Sequence, residues 1–307
     1  MSTIFPPPLA GEGRGGGLSL PEDIAETPVS QPISLRRLLR TYPRVAVASA
    51  LLLILILVTL LAPWIALHDP IATDPSNALL GPSAAHPLGT DELGRDLFAR
   101  VIWGSRVSLP IAFVAVAVGL VVGGTIGLAA GYRGGATDLL LMRVIDAILA
   151  FPALILAIAI VAVLGPGLRN AMIAIGITQL PVYARLMRAQ VLTLKGLDFV
   201  AAVRVLGASP ARLIVYHFLP NLLNPLIVQI SLSAAAAMLA EATLSFLGLG
   251  AQPPTADWGF MMNTGARFLN NDPWLALGPG LAISIAVFAF NWLGDALRDA
   301  LDPRLRG

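Results

Sequence analysis

The sequence predicts an all-α membrane protein with six transmembrane helices. Hydrophobic residues make up 56% of the chain and charged residues only 12%, whereas a soluble domain carries about 25% charged residues. Long apolar spans recur along the chain, and in hydrocarbon every backbone polar group must be paired within its own span, which favours helices. The predicted spans are roughly 45–67, 107–131, 138–164, 171–192, 221–247 and 276–296.

The distribution of basic residues predicts that both ends of the chain lie in the cytoplasm. With the N-terminus inside, 15 of the 20 Lys and Arg residues fall in inner segments or at inner helix ends, and 5 fall outside. Such an excess of positive charge is typical of the cytoplasmic side. Segments 68–106 and 248–275 then face outward, and segment 193–220 faces the cytoplasm.

The chain divides into three predicted parts. Residues 1–34 are rich in Gly and Pro and lack the apolar stretch of a signal peptide, so we expect a disordered cytoplasmic tail. Residues 35–106 hold the first span and an outer loop, and residues 107–307 hold the core transmembrane bundle. Charges spaced along 86–100 predict a short amphipathic helix on the outer surface, either a lid or partner contact, or a solvated cap on the bundle.

Glycines recur every four residues along the second predicted span and therefore share one face of its helix. Small residues let transmembrane helices approach closely, which is how such helices associate without a hydrophobic driving force. We predict a tight helix crossing, within a bundle or at a subunit interface; the alternative is simple glycine enrichment in a membrane span. The residues are Gly119, Gly123, Gly127 and Gly131.

A partly polar segment, 198–220, separates two apolar spans and predicts a short helix on the cytoplasmic surface. Asp198 is a candidate N-cap, and Gly207 suits the left-handed position just after a helix. Ser209 and Pro210 suit the cap and first residue of the next helix. Such an element is typical of a surface that another protein holds. The residues expected on one apolar face of the short helix are Phe199, Ala202, Val203 and Leu206.

The sequence contains no motif for ATP hydrolysis. No Gly-x-x-x-x-Gly-Lys-Ser/Thr phosphate loop occurs, and the only lysine is Lys195. If solute moves uphill, the energy must come from a partner or an ion gradient, and a cytoplasmic docking helix favours the partner. His68 and His86 lie in the outer loop and His217 near the inner face, so the three cannot share a metal and we expect no metal site. We expect no catalytic residues and, with a net charge of +2, no nucleic-acid partner.

Polar residues inside the spans are candidates for a solute path because they are costly in hydrocarbon. Glu241 either lines the path or a gate, or is a structural carboxyl bonded to a neighbouring helix. Gln179 and Asn291 either offer amide contacts to a peptide backbone or bridge helices. Asp146 lies three residues from Arg143, which predicts a local ion pair near the cytoplasmic end of the third span.

Four stretches of the chain resemble the permease subunits of bacterial ABC importers, of the dipeptide/oligopeptide/nickel group. They are the outer run His86–Leu109, the segment Asp198–Pro220, the run Glu241–Gly250 and the run Asn291–Arg304. Within that group the chain is most similar to the C-type subunit of the permease heterodimer. The second stretch is similar to the family's EAA loop.

The resemblance implies a type I importer permease fold with a cytoplasmic coupling helix, in the bacterial inner membrane. It implies a second homologous permease, two ABC ATPases that use the ATP, and a periplasmic or lipid-anchored solute-binding protein, besides membrane lipid. No cofactor is expected on this chain itself. The implied ATPase-coupling residues are Phe199, Ala201, Ala202, Arg204, Gly207, Ala208 and Pro220.

The coupling segment departs from the family pattern at one position. The EAA loop usually opens with glutamate, and here that position is Ala201. The departure puts one polar contact to the ATPase groove in doubt, and Arg204 is an alternative partner for an acidic groove residue.

The resemblance leaves the cargo open. Small peptides are the expected cargo, and nickel is the alternative within the same group. An ion-coupled secondary transporter is the competing class, although no internal repeat of the kind common in such transporters is evident. A membrane-embedded enzyme is disfavoured by the missing catalytic sets.

Overall fold

The computed structural model describes residues 41–301, so the predicted tail 1–34 lies outside the described residues. Within this range the regular structure is helical, apart from an isolated bridge between Thr90 and Asp96. A short 3₁₀ turn, Pro75–Asn77, precedes that bridge. The helices are α1 Pro43–Ile65, α2 Leu97–Arg133, α3 Gly135–Leu149, α4 Ala153–Leu164, α5 Leu168–Lys195, α6 Asp198–Val205, α7 Pro210–Phe246, α8 Trp258–Ala266 and α9 Trp274–Leu301.

Four of these described helices, α1, α2, α7 and α9, are each long and apolar enough to cross a membrane. Helices α3 and α4 together form a further candidate span, bent by 88°. The span predicted over 138–164 is therefore broken at Pro152, which is the N-cap of α4 and has no N–H to continue α3. Helix α5 has 28 residues, but its basic residues make it more polar, so the count of six spans stays a prediction.

Helix α2 packs against α5 through the glycine face, and α2 contains a π-helical turn at Gly119–Gly123. A Cβ atom built on Gly119 would lie 2.6 Å from Cβ of Gln179, and real Cβ atoms essentially never come within 3.0 Å of such a neighbour. At Gly123 and Gly127 the added atom would meet the backbone carbonyls of Leu180 and Ala184. The crossing therefore lies inside this chain and places two helix backbones in contact.

Helix α8 packs mainly against α9 and α7 and also contacts α2. The indole N–H of Trp258 donates to the Val101 carbonyl over 2.7 Å, and its ring covers Gly104. Gly259 lies against the backbone of Ala242 on α7. Helix α9 then packs along α7 and against α1, which joins both ends of the described chain to one bundle.

The segment 86–96 is a folded loop and not the predicted amphipathic helix. Oδ1 of Asp91 accepts from the backbone N–H groups of Leu93 and Arg95, which closes a turn. Gly89 and Gly94 have φ of 83° and 73°, a left-handed conformation that a right-handed helix cannot contain. Helix α2 begins only at Leu97, where Asp96 caps it by accepting from the Ala99 N–H over 2.6 Å.

Candidate functional site

The short helix α6 ends in a defined backbone motif. Its last residue is Val205, and Gly207 follows with φ of 80°. The Ala208 N–H donates to the Val203 carbonyl over 3.2 Å, and the Gly207 N–H donates to the Arg204 carbonyl over 2.9 Å. This is a Schellman motif, and it confirms the expectation that Gly207 is left-handed. The chain direction after α6 is therefore set by hydrogen bonds.

The beginning of α6 differs from the prediction. Asp198 is the first helical residue and not the cap, because Leu197 occupies the cap position and makes no side-chain cap bond. The carboxylate of Asp198 still lies in the first turn, where negative charge is favourable. At the next helix the prediction is confirmed: Ser209 caps it by accepting from the Arg212 N–H, and Pro210 is its first residue.

The faces of α6 also differ from the prediction. Val200 is fully buried and Val203 is half-buried, so these two residues form the inward face. Leu206, which was expected on the same face as Val203, is 85% exposed, and Val205 is 88% exposed. The predicted single apolar face is therefore divided between the protein interior and an outward apolar patch.

Two side-chain contacts connect α6 to other helices. The Phe199 ring lies 6.4 Å from the His217 ring, which belongs to the π-helical turn near the start of α7. The Arg204 guanidinium lies 5.9 Å from the Tyr132 ring at the end of α2. Arg204 thus already has an aromatic partner in its own chain. This contact disfavours the alternative in which Arg204 binds an acidic residue in the groove of the ATPase.

The remaining predicted coupling residues lie on the same surface. Ala201 and Ala202 are exposed on α6, Ala208 is half-buried, and Pro220 is exposed on α7. An open groove adjoins them, and its lining residues are Ala211, Arg212, Val215, Tyr216 and His217. The site combines small exposed side chains, an apolar patch and a neighbouring groove, which suits the docking of another protein.

The three predicted pathway residues do not form one cluster. Within residues 41–301, no hydrogen bond joins the side chains of Gln179, Glu241 and Asn291. Gln179 is buried where α5 crosses Gly119 of α2. Asn291 is half-buried on α9. The three residues therefore lie on three different helices, α5, α7 and α9.

Glu241 is 1% exposed. It lies beside polar groups whose proximity to it was not predicted from the sequence. Its Oε1 accepts from the Ser245 hydroxyl over 2.8 Å, and its carboxyl group neighbours Asp257 and Ser108. Asp257 caps α8 by accepting from the Phe260 N–H over 2.8 Å. Glu241 thus lies at the junction of α2, α7 and α8.

The basic residues of α5 contact the C-terminal end of α2 and two carboxylates of α3. Arg188 makes a forked contact to the Asp138 carboxylate, with one N–O distance of 2.7 Å. Asp146 pairs with Arg185 over 2.8 Å, so the predicted local pair with Arg143 is wrong. Lys195 donates to the carbonyls of Gly131 and Tyr132 at the end of α2. Residue spacing in the sequence does not indicate these long-range pairings.

Two family descriptions match the chain. Residues 123–307 match the binding-protein-dependent transport system inner membrane component. Residues 34–82 match the N-terminal TM domain of oligopeptide transport permease C.

Several known proteins are similar over most of this chain. It is 47% identical over 251 residues to the dipeptide transport system permease protein of Alkalihalophilus pseudofirmus, covering 82% of this chain and 83% of that protein. It is 46% identical to the di/tripeptide transport system permease protein of Pseudomonas aeruginosa, covering 83% and 86%. It is 42% identical to the glutathione transport system permease protein of Pectobacterium atrosepticum, covering 88% and 90%.

The fold is similar to that of a solved transporter chain. A chain from an inward-facing structure of the MetNI methionine ABC transporter superposes with a TM-score of 0.55. The match covers 67% of this chain and 98% of that chain at 18% identity. At this identity the likeness concerns the fold alone.

Proposed function

Because this chain belongs to the family of binding-protein-dependent transport system inner membrane components, we propose that it forms half of the translocation pathway of an ATP-driven peptide importer. The chain is a multi-pass protein of the inner membrane. Its C-terminal part and its first helix each match a permease description. The proposal assigns it a transport role without an ATPase site of its own.

The observation that carries the proposal is the surface of α6. Val205 and Leu206 point outward at a helix end, where the Schellman motif around Gly207 holds the backbone. Large apolar side chains side by side on a surface favour an interaction site, because covering them with a partner removes apolar area from water. We assign this surface to the docking of one ABC ATPase, and the equivalent surface of a second permease to the other.

Movement of α6 would pass to the membrane helices at several points. A short connection joins α6 to α5, and the segment 206–209 joins it to α7. Arg204 also contacts Tyr132 at the end of α2. When the ATPases close on ATP, a rigid-body shift of α6 would therefore move the ends of three helices together and change the access of the pathway.

Small peptides are the proposed cargo. The relatives named above carry peptide or glutathione names, which favours peptides over the nickel alternative. A solute-binding protein on the outer face, either periplasmic or lipid-anchored, would deliver the peptide. ATP would be used by the partner subunits alone, with no cofactor bound to this chain.

Substitution of the exposed leucine on α6 tests the docking assignment. Leu206→Asp should preserve the amount of permease in the membrane but reduce both co-purification of the ATPases and ATP-dependent peptide uptake. Leu269→Asp is the matched control, because Leu269 is also exposed but lies near α8, far along the chain from α6. Wild-type uptake and ATPase recovery with Leu206→Asp would contradict the assignment.

A further inference from the structure

Two histidines and one aspartate that are distant in sequence meet between α1 and α2. Nδ1 of His86 lies 2.8 Å from Oδ2 of Asp96, and Nδ1 of His68 lies 3.6 Å from the same oxygen. The ligand atoms of all three residues lie within 4.8 Å of one another. Imidazole nitrogens and a carboxylate oxygen are common ligands of zinc in proteins.

The backbone around the cluster is held by other hydrogen bonds. The His86 N–H donates to the Ser83 hydroxyl, and the His86 carbonyl accepts from the N–H groups of Ser83 and Gly89. Beyond His68, the Pro70 carbonyl accepts from the Arg100 guanidinium over 2.9 Å. The three side chains are therefore presented by a folded loop, and little ordering would be needed to bind a ligand.

The negative charge of Asp96 is only partly balanced by other groups of the protein. Asp96 is 4% exposed, and its Oδ1 accepts from the Ala99 N–H as the cap of α2. Its Oδ2 faces the two imidazoles, and within residues 41–301 they are its ion-pair partners within 4 Å. The nearby Arg95 and Arg100 are instead paired with Asp91. A buried carboxylate is costly unless a cation lies beside it. The position next to Oδ2 of Asp96 is therefore favourable for a bound cation.

We propose that His68, His86 and Asp96 bind a divalent transition metal of the zinc class on the outward side of the protein. Nitrogen and oxygen ligands at about 2.0–2.2 Å from a tetrahedral zinc lie about 3.3–3.5 Å apart. The two observed distances to Oδ2, 2.8 and 3.6 Å, bracket this separation. Nδ1 of His86 and Oδ2 of Asp96 would have to move apart by about 0.5–0.7 Å to reach this separation, with the His86 proton on Nε2.

The metal would be a cross-link and not the cargo. It would join the end of α1, through His68, to the cap of α2, through Asp96, and so close the loop between these helices. His68 is exposed, which leaves the fourth coordination position open to water. The hydrogen bond of Asp96 to Ala99 orients the carboxylate, as partners of metal ligands usually do.

Zinc binding to the purified full-length chain, with any affinity tag removed, tests the proposal. The chain contains no cysteine and only these two histidines and His217, so competing sites with nitrogen or sulfur ligands are few. We expect one zinc per chain by calorimetry or elemental analysis. His68→Ala and His86→Ala should each weaken binding at least about tenfold, since even partners of metal ligands matter by about 10–100-fold.

Two further variants separate metal binding from folding. Asp96→Asn keeps an oxygen that can cap α2 but removes the negative charge, so it should lose zinc affinity while the thermal midpoint without metal stays near wild type. His217→Ala is the control and should bind zinc like wild type. Zinc should raise the thermal midpoint of wild type and not of His68→Ala. Absence of zinc binding, or equal binding by His68→Ala, His86→Ala and wild type, would overturn the proposal.

Discussion

Substitution of one glycine in the α2–α5 crossing gives the sharpest test of the packing. Gly123→Ala would place a methyl group against the backbone of Leu180, with Leu180 Cα only 3.0 Å away and its carbonyl oxygen closer still. Gly124→Ala is the matched control on the same helix. There the added carbon would meet the Met187 side chain at 3.7 Å, an ordinary contact distance.

The free energy of unfolding should change in opposite directions at the two positions. In a helix interior, Ala is more favourable than Gly by about 0.8–1.0 kcal/mol. At Gly124 that gain is unopposed, so the variant should be neutral or slightly stabilised. At Gly123 the neighbour is helix backbone that cannot rotate away, and overpacking of this kind costs typically about 1–3 kcal/mol, occasionally more. The net effect should be a loss of up to about 2 kcal/mol.

The thermal midpoint of the detergent-purified permease, followed by the loss of its monodisperse elution peak, measures this difference. Gly123→Ala should unfold at a lower temperature than wild type, and Gly124→Ala at the same or a higher temperature. Equal midpoints for both variants would refute the close backbone contact between α2 and α5. A lower midpoint for Gly124→Ala alone would mean that the glycine face is assigned to the wrong residues.

Three further outcomes are expected. Cysteine introduced at Asn270 should react in intact cells with an impermeant thiol reagent, and cysteine at Ser209 should not; labelling at Ser209 would overturn the orientation. Gly207→Val should reach the membrane but fail to couple ATP hydrolysis to uptake, because a side chain in the left-handed conformation costs about 1–2 kcal/mol and strains the Schellman motif; full uptake would contradict this. Arg188→Ala should lower the thermal midpoint more than Arg188→Lys, since Lys keeps a charge near Asp138; equal midpoints would contradict a role for charge.

Local signals in the sequence predicted the backbone conformation just after α6. The Schellman glycine, Gly207, and the Ser209 cap are set by backbone requirements within a few residues, so residue type alone indicates them. The inward face of α6 was predicted wrongly because helical spacing allows several overlapping apolar faces. Which of them is buried depends on where the neighbouring helices lie, as the burial of Val200 shows.

Non-local structure was beyond the sequence analysis. The predicted helix at 86–100 failed because the carboxylate of Asp91 bonds to nearby backbone N–H groups, which competes with helix formation. The approach of His68 to His86 depends on the closure of a loop, and residue spacing carries no sign of it. The Glu241–Asp257 contact joins two helices that the sequence analysis treated separately.

The central claim is that ATP drives peptide uptake through this permease by way of α6. Its most direct test is uptake of a labelled dipeptide into proteoliposomes that contain both permeases, the two ATPases and the solute-binding protein. The account predicts uptake with ATP on the ATPase side, none without ATP, and its loss with Leu206→Asp. Uptake driven by a proton or sodium gradient without ATP, and unaffected by Leu206→Asp, would contradict it.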